Sequence, residues 1–390
     1  MEQAKSSSHN FAHLWLYVND LLNIDFTKVC PAVYAKILSR FDWGGGWGDT
    51  PPIYYKLYAS IVASSLSFNA TNQHALTVTI SPAREFRFSV DDAIEDPPEL
   101  IVKIFEFLGF YSQKNFPPIC LNIYNIIPRG SGLGGSGLVV ATTLAALFGY
   151  YLGIDYPNKN IKRLVEYTMA IEQLQGTGGG WNDTLTGIIP GTKLIRTQPD
   201  NPHRYIIERL PQRIADELAK HCILIDLNHT RQAAPIVHSI RDRYLGGDEK
   251  VISMLQRIEQ DAQRMWNLLI DKKFIGFGEE MYRSWQNVCS VETKSRIKIV
   301  DEIEDLLKEY IAGLKIGGAG GGGFMMIVCT SPEQRDFAIM ILRKHFSNPE
   351  ANRTIKVYSP QFPPIGLRIG YLQPETRITF DEQPTTMIIE

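Results

Sequence analysis

The decapeptide P-R-G-S-G-L-G-G-S-G, Pro128 to Gly137, limits the possible folds more than any other stretch. Ile119 to Ile127 before it alternates apolar and polar positions, the period of a half-buried strand. Gly137 to Gly149 after it is apolar nearly all round and predicts a buried helix starting near Ser136. The chain must therefore pass from strand to helix through five glycines. Glycines let backbone approach a ligand closely, and a helix start offers unpaired N–H groups to an anion. The loop lacks the Lys-Ser or Lys-Thr of G-x-x-x-x-G-K-[ST]. Its Gly130, Gly132 and Gly134 alternate and so miss G-x-G-x-x-G. Neither a P-loop nor a dinucleotide fingerprint is supported.

Two further clusters, F-D-W-G-G-G-W-G-D-T-P-P (41–52) and K-I-G-G-A-G-G-G-G-F (315–324), would each read alone as a turn. A fourth segment, G-T-G-G-G-W-N-D-T-L-T-G (176–187), follows a helical pattern over 160–174 and sets Trp181 and Asp183 on a glycine-rich loop.

Strands are expected at 33–41, 59–69, 222–227, 324–329 and 354–358, and a hairpin on either side of Pro82 over 75–90. Helical spacing fills 231–245, 249–272, 293–311 and 332–345. The order predicts an α+β chain of two interlocked lobes. Lys and Arg number 40 against 42 Asp and Glu, with no basic footprint for nucleic acid or an acidic membrane surface. Gly137 to Ile154 is long enough to span a bilayer, but it follows a tight glycine loop and carries Thr142 and Thr143, so it reads as a core helix. The start M-E-Q-A-K-S-S-S-H-N lacks a signal-peptide pattern, and a cytoplasmic protein is expected. Five scattered cysteines with no C-x-x-C read as free thiols. The histidines form no metal pattern. No G-x-S-x-G elbow surrounds Ser131 or Ser136, which disfavours serine hydrolysis.

Together the three ordered glycine motifs resemble those of the GHMP kinase superfamily, over roughly residues 30–345. Within it the pattern is most similar to the kinase domain of fucokinases. G-G-W-G-D-T-P-P (45–52), P-R-G-S-G-L-G-G-S-G, I-E-Q-L-Q-G-T-G-G-G-W-N-D-T (171–184) and the pair Thr230-Arg231 all have counterparts there. Bacterial heptose-phosphate kinases share much of it.

The resemblance implies a two-lobed fold, with a ribosomal protein S5 domain 2-like N-terminal lobe over 31–205 and a ferredoxin-like C-terminal lobe over 206–360. A leader (1–30) and a tail (361–390) would flank them. It implies ATP and Mg²⁺ as cosubstrate and metal, a monomer or homodimer, and no nucleic-acid or membrane partner. Pro128, Gly130, Ser131, Gly132, Leu133, Gly134, Gly135 and Ser136 would hold ATP, backed by Gly318, Ala319, Gly320 and Gly321. Ser136 and Glu172 match the Mg²⁺ positions, and a hard cation suits such oxygens. Asp183 matches the catalytic base and Arg40 the arginine that faces it. Asp49, Trp47, Trp181, Asn182, Thr184 and Arg231 would contact the sugar.

Several positions depart from the fucokinase pattern. Gly48, Gly135 and Gly137 replace hydroxyl residues, Gln175 and Gly176 replace leucine and threonine, and Asn182 and Thr184 replace glutamines beside Asp183. The expected reaction is phosphorylation of the anomeric hydroxyl of an L-fucose-like sugar to a sugar 1-phosphate. The large guanylyltransferase region of bifunctional fucose-salvage enzymes is not expected within these 390 residues. The alternatives are a D-glycero-D-manno-heptose 7-phosphate 1-kinase, for which Lys193 and Arg196 are the nearby cations, and a non-catalytic sugar sensor.

Overall fold

The computed structural model describes residues 31–68, 74–109, 117–229, 234–346, 354–372 and 386–389. In chain order its elements begin with β1 (Val33–Ile37), β2 (Ser39–Gly44), β3 (Ala59–Leu66), β4 (Leu76–Pro82), β5 (Arg87–Val90), β6 (Ala93–Ile94) and α1 (Glu99–Phe107). Next come β7 (Ile119–Asn125), α2 (Gly135–Leu152), α3 (Tyr156–Lys159), α4 (Ile161–Gln175), α5 (Trp181–Ile188), β8 (Thr192–Gln198) and β9 (Asn201–Arg209). Then follow α6 (Gln212–Ala219), β10 (Cys222–Asp226), α7 (Ala234–Leu245), α8 (Glu249–Ile270), α9 (Phe274–Val291) and α10 (Lys298–Leu307). The last are β11 (Ile311–Ile316), β12 (Phe324–Cys329), α11 (Pro332–His345), β13 (Lys356–Tyr358), β14 (Arg368–Tyr371) and β15 (Thr386–Ile389).

The strands form three sheets, ordered β14-β1-β4-β7-β5-β6, β15-β9-β8-β3-β2 and β11-β12-β10-β13. Only Leu38 separates β1 from β2, so the chain changes sheets there. β1 buries alternate residues, as a strand with one covered face must, whereas every residue of β2 is buried. The hairpin expected around Pro82 does not form. Both strands exist, but β7 lies between them, antiparallel to β4 and parallel to β5. The Ala83 N–H bonds to the Pro118 carbonyl at the end of that neighbour instead of turning back. Alternation marks a strand but does not name its partner.

α2 packs on β1, β4 and β14 and against α4. Among the described residues it is the one helix long and apolar enough to cross a membrane, and it is 78% buried in the protein's own core. The four-stranded sheet is antiparallel throughout, with its strands in the order second-third-first-fourth, which is the ferredoxin-like arrangement. α9, which the sequence reading passed over, lies on β11 and β12. It packs so closely that a Cβ on Gly313 would lie 2.1 Å from the Gly278 carbonyl oxygen. Beyond residue 360, β14 pairs with β1 and β15 with β9, so both join sheets whose other strands all lie between residues 33 and 209.

Candidate active site

The strand-to-helix turn places its glycines where other residues would be strained or would collide. Gly130, Gly132 and Gly134 all have positive φ, and Gly134 precedes the first turn of α2 without a side-chain capping bond. The first N–H groups of a helix have no partner within it, the arrangement that binds anions. Leu133 is wholly buried and anchors the loop, and its carbonyl accepts the Arg40 N–H at 3.4 Å. Pro128, Arg129 and Gly130 are exposed at the rim.

The third glycine loop packs directly on this one. A Cβ on Gly132 would lie 2.5 Å from the Gly317 carbonyl oxygen, and the Phe324 N–H bonds to the Ser131 carbonyl at 2.8 Å. Of the four residues expected to back the nucleotide, three spend their N–H groups inside the protein. Gly318 donates to Asp42 Oδ1, Gly320 to the Gly317 carbonyl and Gly321 to the Ser295 carbonyl. The loop therefore supports the 128–137 loop by contact, and these three N–H groups are not free for a ligand.

Asp183 is not on a loop. It lies in the first turn of α5, and the segment expected to be flexible is helical from Trp181. Asn, Asp and Thr are indifferent helix formers, so a distant residue closes the helix start: Asp49 Oδ2 accepts the Asn182 N–H at 3.2 Å. A carboxylate there also suits the helix dipole. A Cβ on Gly180 would lie 2.3 Å from the same oxygen, which explains that glycine. Burial first, and then repulsion from Asp183, pushes the Asp49 carboxyl up to about 7.

Arg40 from β2 brings Asp183 and the glycine loop at 128–137 together. Its Nε is 2.6 Å and its Nη2 2.5 Å from Asp183 Oδ1, and its Nη1 donates to the Gly132 carbonyl at 2.6 Å. Burial alone would lower the Arg40 pKa, but Asp183 and Asp42 outweigh it and raise it above the ordinary value. Asp183 itself remains 27% exposed, open to a ligand.

Glu172 stands near the end of α4, which closes in a Schellman motif: Gly176, in the left-handed region, donates to Gln173, and Thr177 donates to Glu172. Glycine in place of the family's threonine fits that cap. The Ser136 hydroxyl donates to Glu172 Oε1 at 2.6 Å, while the buried Oε2 has no hydrogen-bond partner. Burial first, then Asp183, pushes this carboxyl up to about 8. Gly137 takes up another departure, since a Cβ there would lie 3.1 Å from both Glu172 Oε2 and Asp183 Cβ.

Other expected sugar contacts need correcting. Trp181 is wholly buried, edge-on to Tyr205 at 5.8 Å, so its ring face cannot meet a pyranose. Thr184 is wholly buried, and Asn182 is buried with its side-chain carbonyl accepting from Thr186. Both flank Asp183 in a helix whose other faces point to the core. Trp47, at φ 83°, packs against the apolar cluster of Ile53 and Ile240, which takes up part of its ring. Arg231 lies outside the described residues. Lys193 is wholly buried, donating to the Thr186 carbonyl at 2.8 Å, and Arg196 pairs with Glu208, so neither is a free phosphate anchor. Sequence reasoning missed Asp42, whose motif neighbours Arg40 and Asp49 drew the attention.

Residues 99–189 match the GHMP kinases N terminal domain and residues 266–348 match GHMP kinases C terminal. The chain is 30% identical over 341 residues to the bifunctional fucokinase/GDP-fucose pyrophosphorylase of Arabidopsis thaliana, covering 82% of this chain and 31% of that protein. It is 32% identical over 231 residues to the D-glycero-alpha-D-manno-heptose 7-phosphate kinase of Campylobacter jejuni, covering 57% and 65% respectively. It thus spans under a third of the first relative's length and somewhat less than two thirds of the second's. The solved Lactococcus lactis galactokinase complexed with galactose shares the fold, with a TM-score of 0.64 at 13% identity over 94% of this chain and 99% of that one.

Proposed function

We propose that this chain, which belongs to the GHMP kinases, transfers the terminal phosphoryl group of ATP to the anomeric hydroxyl of an unphosphorylated, L-fucose-like monosaccharide. The observation that carries the reading is the single Arg40 guanidinium that bonds both Asp183 and the Gly132 carbonyl, fixing a base beside the phosphate loop. Phosphoryl transfer needs little covalent chemistry from the protein and depends on positioning and charge.

In this reading the first turn of α2 holds the ATP phosphates. Asp183 accepts the sugar hydroxyl proton as the oxygen attacks. Arg40 orients Asp183 and offsets charge on the transferring group. Asp49, at the start of α5, accepts sugar hydroxyls with the lone pairs that Asn182 leaves unused. The unpartnered Glu172 Oε2 and the Ser136 hydroxyl fit a hard divalent cation, and these two residues would hold Mg²⁺. Bound there, the cation would neutralise phosphate charge. The commitment of Lys193 and Arg196 to other partners favours a free sugar over a heptose phosphate.

The test is ADP release with a panel of free sugars and sugar phosphates, for the native chain and Asp183→Asn. L-Fucose turnover that falls about 10²-fold or more in a variant that remains folded at the assay temperature is the expected result. Turnover confined to phosphorylated heptoses would transfer the assignment to that substrate. Sugar binding without turnover would make the chain a sensor.

A further inference from the structure

Asp42 has no part in the chemistry just described, yet it touches Arg40, Lys315 and the third glycine loop. It lies two residues after Arg40 on β2, in the N-terminal half of the site. Lys315, at the other side, comes from β11 of the ferredoxin-like sheet. Lys315 Nζ donates to Asp42 Oδ2 and to the Asp42 main-chain carbonyl, both at 2.7 Å. Asp42 Oδ1 accepts the Gly318 N–H at 2.8 Å and lies 3.5 Å from Arg40 Nη1. Both side chains are less than a tenth exposed, and the ammonium stands 5.3 Å over the Phe41 ring.

We infer that Asp42 and Lys315 are positioning residues, a buried latch that sets the third glycine loop against the phosphate loop and steadies the Arg40 head facing Asp183. One oxygen of Asp42 holds the lysine, and the other serves Gly318 and Arg40. The Gly317–Gly318 backbone then rests on Gly132, with a Cβ on Gly318 only 3.3 Å from the Gly132 Cα. A shift in the latch therefore reaches both the phosphate loop and the base through two contacts. An ion pair serving only to join the lobes would not need its second oxygen turned into the site. Where catalysis is positional, a displacement of about 1 Å costs on the order of 10²-fold in rate.

The inference rests on the kinase reading, and the experiment separates the two. Asp42→Asn leaves Lys315 buried without a counter-charge and can fail to fold. The double variant Asp42→Asn/Lys315→Met removes both charges and keeps the volumes. Each is assayed for melting temperature, steady-state kinetics and affinity for a fluorescent ATP analogue with Mg²⁺. The double variant is expected to melt within a few degrees of the native chain. Its kcat falls about 10²-fold while KM for the sugar changes little, and its analogue affinity falls about tenfold. A folded double variant with native kcat and native analogue affinity overturns the latch. If the native chain turns over no sugar, the kinase reading fails on that result alone. The analogue affinity then decides the latch, a loss supporting it and an unchanged value overturning it.

Discussion

Replacing Asp49 by asparagine should make the protein more stable and a poorer enzyme. The carboxyl is buried beside Asp183, and its pKa stands at about 7 against an ordinary 3.8. The fold therefore favours its protonated form. Between these two values the folded chain holds a proton that the unfolded chain has lost, so stability falls as pH rises through this window. Three units of displacement correspond to about 4 kcal/mol, reached in full above pH about 7 and vanishing near pH about 4. Asparagine has no such term, and its carbonyl oxygen can still accept the Asn182 N–H. For a chain of 390 residues, unfolding entropy of about 2.1 cal/mol/K per residue turns that energy into about 5 °C of melting temperature. Thermal unfolding of both proteins should show Asp49→Asn melting about 5 °C higher at pH 8, with the gap closing to about 1 °C near pH 4.5. KM for the sugar should rise about tenfold, because charged acceptors hold hydroxyls more strongly than neutral ones. An equal gap at both pH values, or a variant less stable than the native chain at pH 8, would refute the electrostatic account of this site.

Trp181→Phe should cost about 1–3 kcal/mol by urea unfolding, the price of a smaller ring in a packed core, and leave the sugar KM unchanged. A tenfold rise in KM at native stability would restore the stacking role. Gly132→Ala combines a φ of +72° with a Cβ 2.5 Å from a main-chain oxygen. It should lower stability by at least about 1–2 kcal/mol and raise KM for ATP more than KM for the sugar. Native stability in that variant would mean that the two glycine loops do not meet as closely as described.

The sequence reveals most where one physical signal acts locally. Helical spacing marks α4, α8 and α11 to within about a turn, most plainly in α8, which buries one stripe from Val251 through Met254, Leu255 and Ile258 to Leu269. The residues that the family resemblance points to at Arg40, Asp183, Ser136 and Glu172 converge in space. What stays hidden depends on distant partners. The wrong hairpin at Pro82 arises because nothing in 75–90 states that β7 will come between its halves. The helix at Trp181 is masked by three glycines and weak helix formers, and its start is stabilised by an aspartate 133 residues away. Asn182 and Thr184 look like specificity positions in a linear motif, yet a helix turns them inward once Asp183 faces out. Lys193 beside the site suggests a phosphate anchor until burial shows its ammonium tied to the end of α5.

The pairing of β14 with β1 bears on how the protein is made. Val33 lies opposite Tyr371, so the strand leading to Arg40 and the base of α2 waits for a neighbour near the other end of the described chain. At a synthesis rate of ~10 residues per second, about half a minute separates the emergence of the two strands from the ribosome. During that interval β1 has one edge unpaired and α2, the one helix among the described residues apolar enough to cross a membrane, is partly uncovered. The ferredoxin-like half has all four of its strands between residues 222 and 358 and can form meanwhile. Late closure of the sheet that holds β1 exposes a sticky edge in vivo and invites chaperone engagement, and a ribosome-stalled chain ending before residue 368 should not acquire ATP affinity.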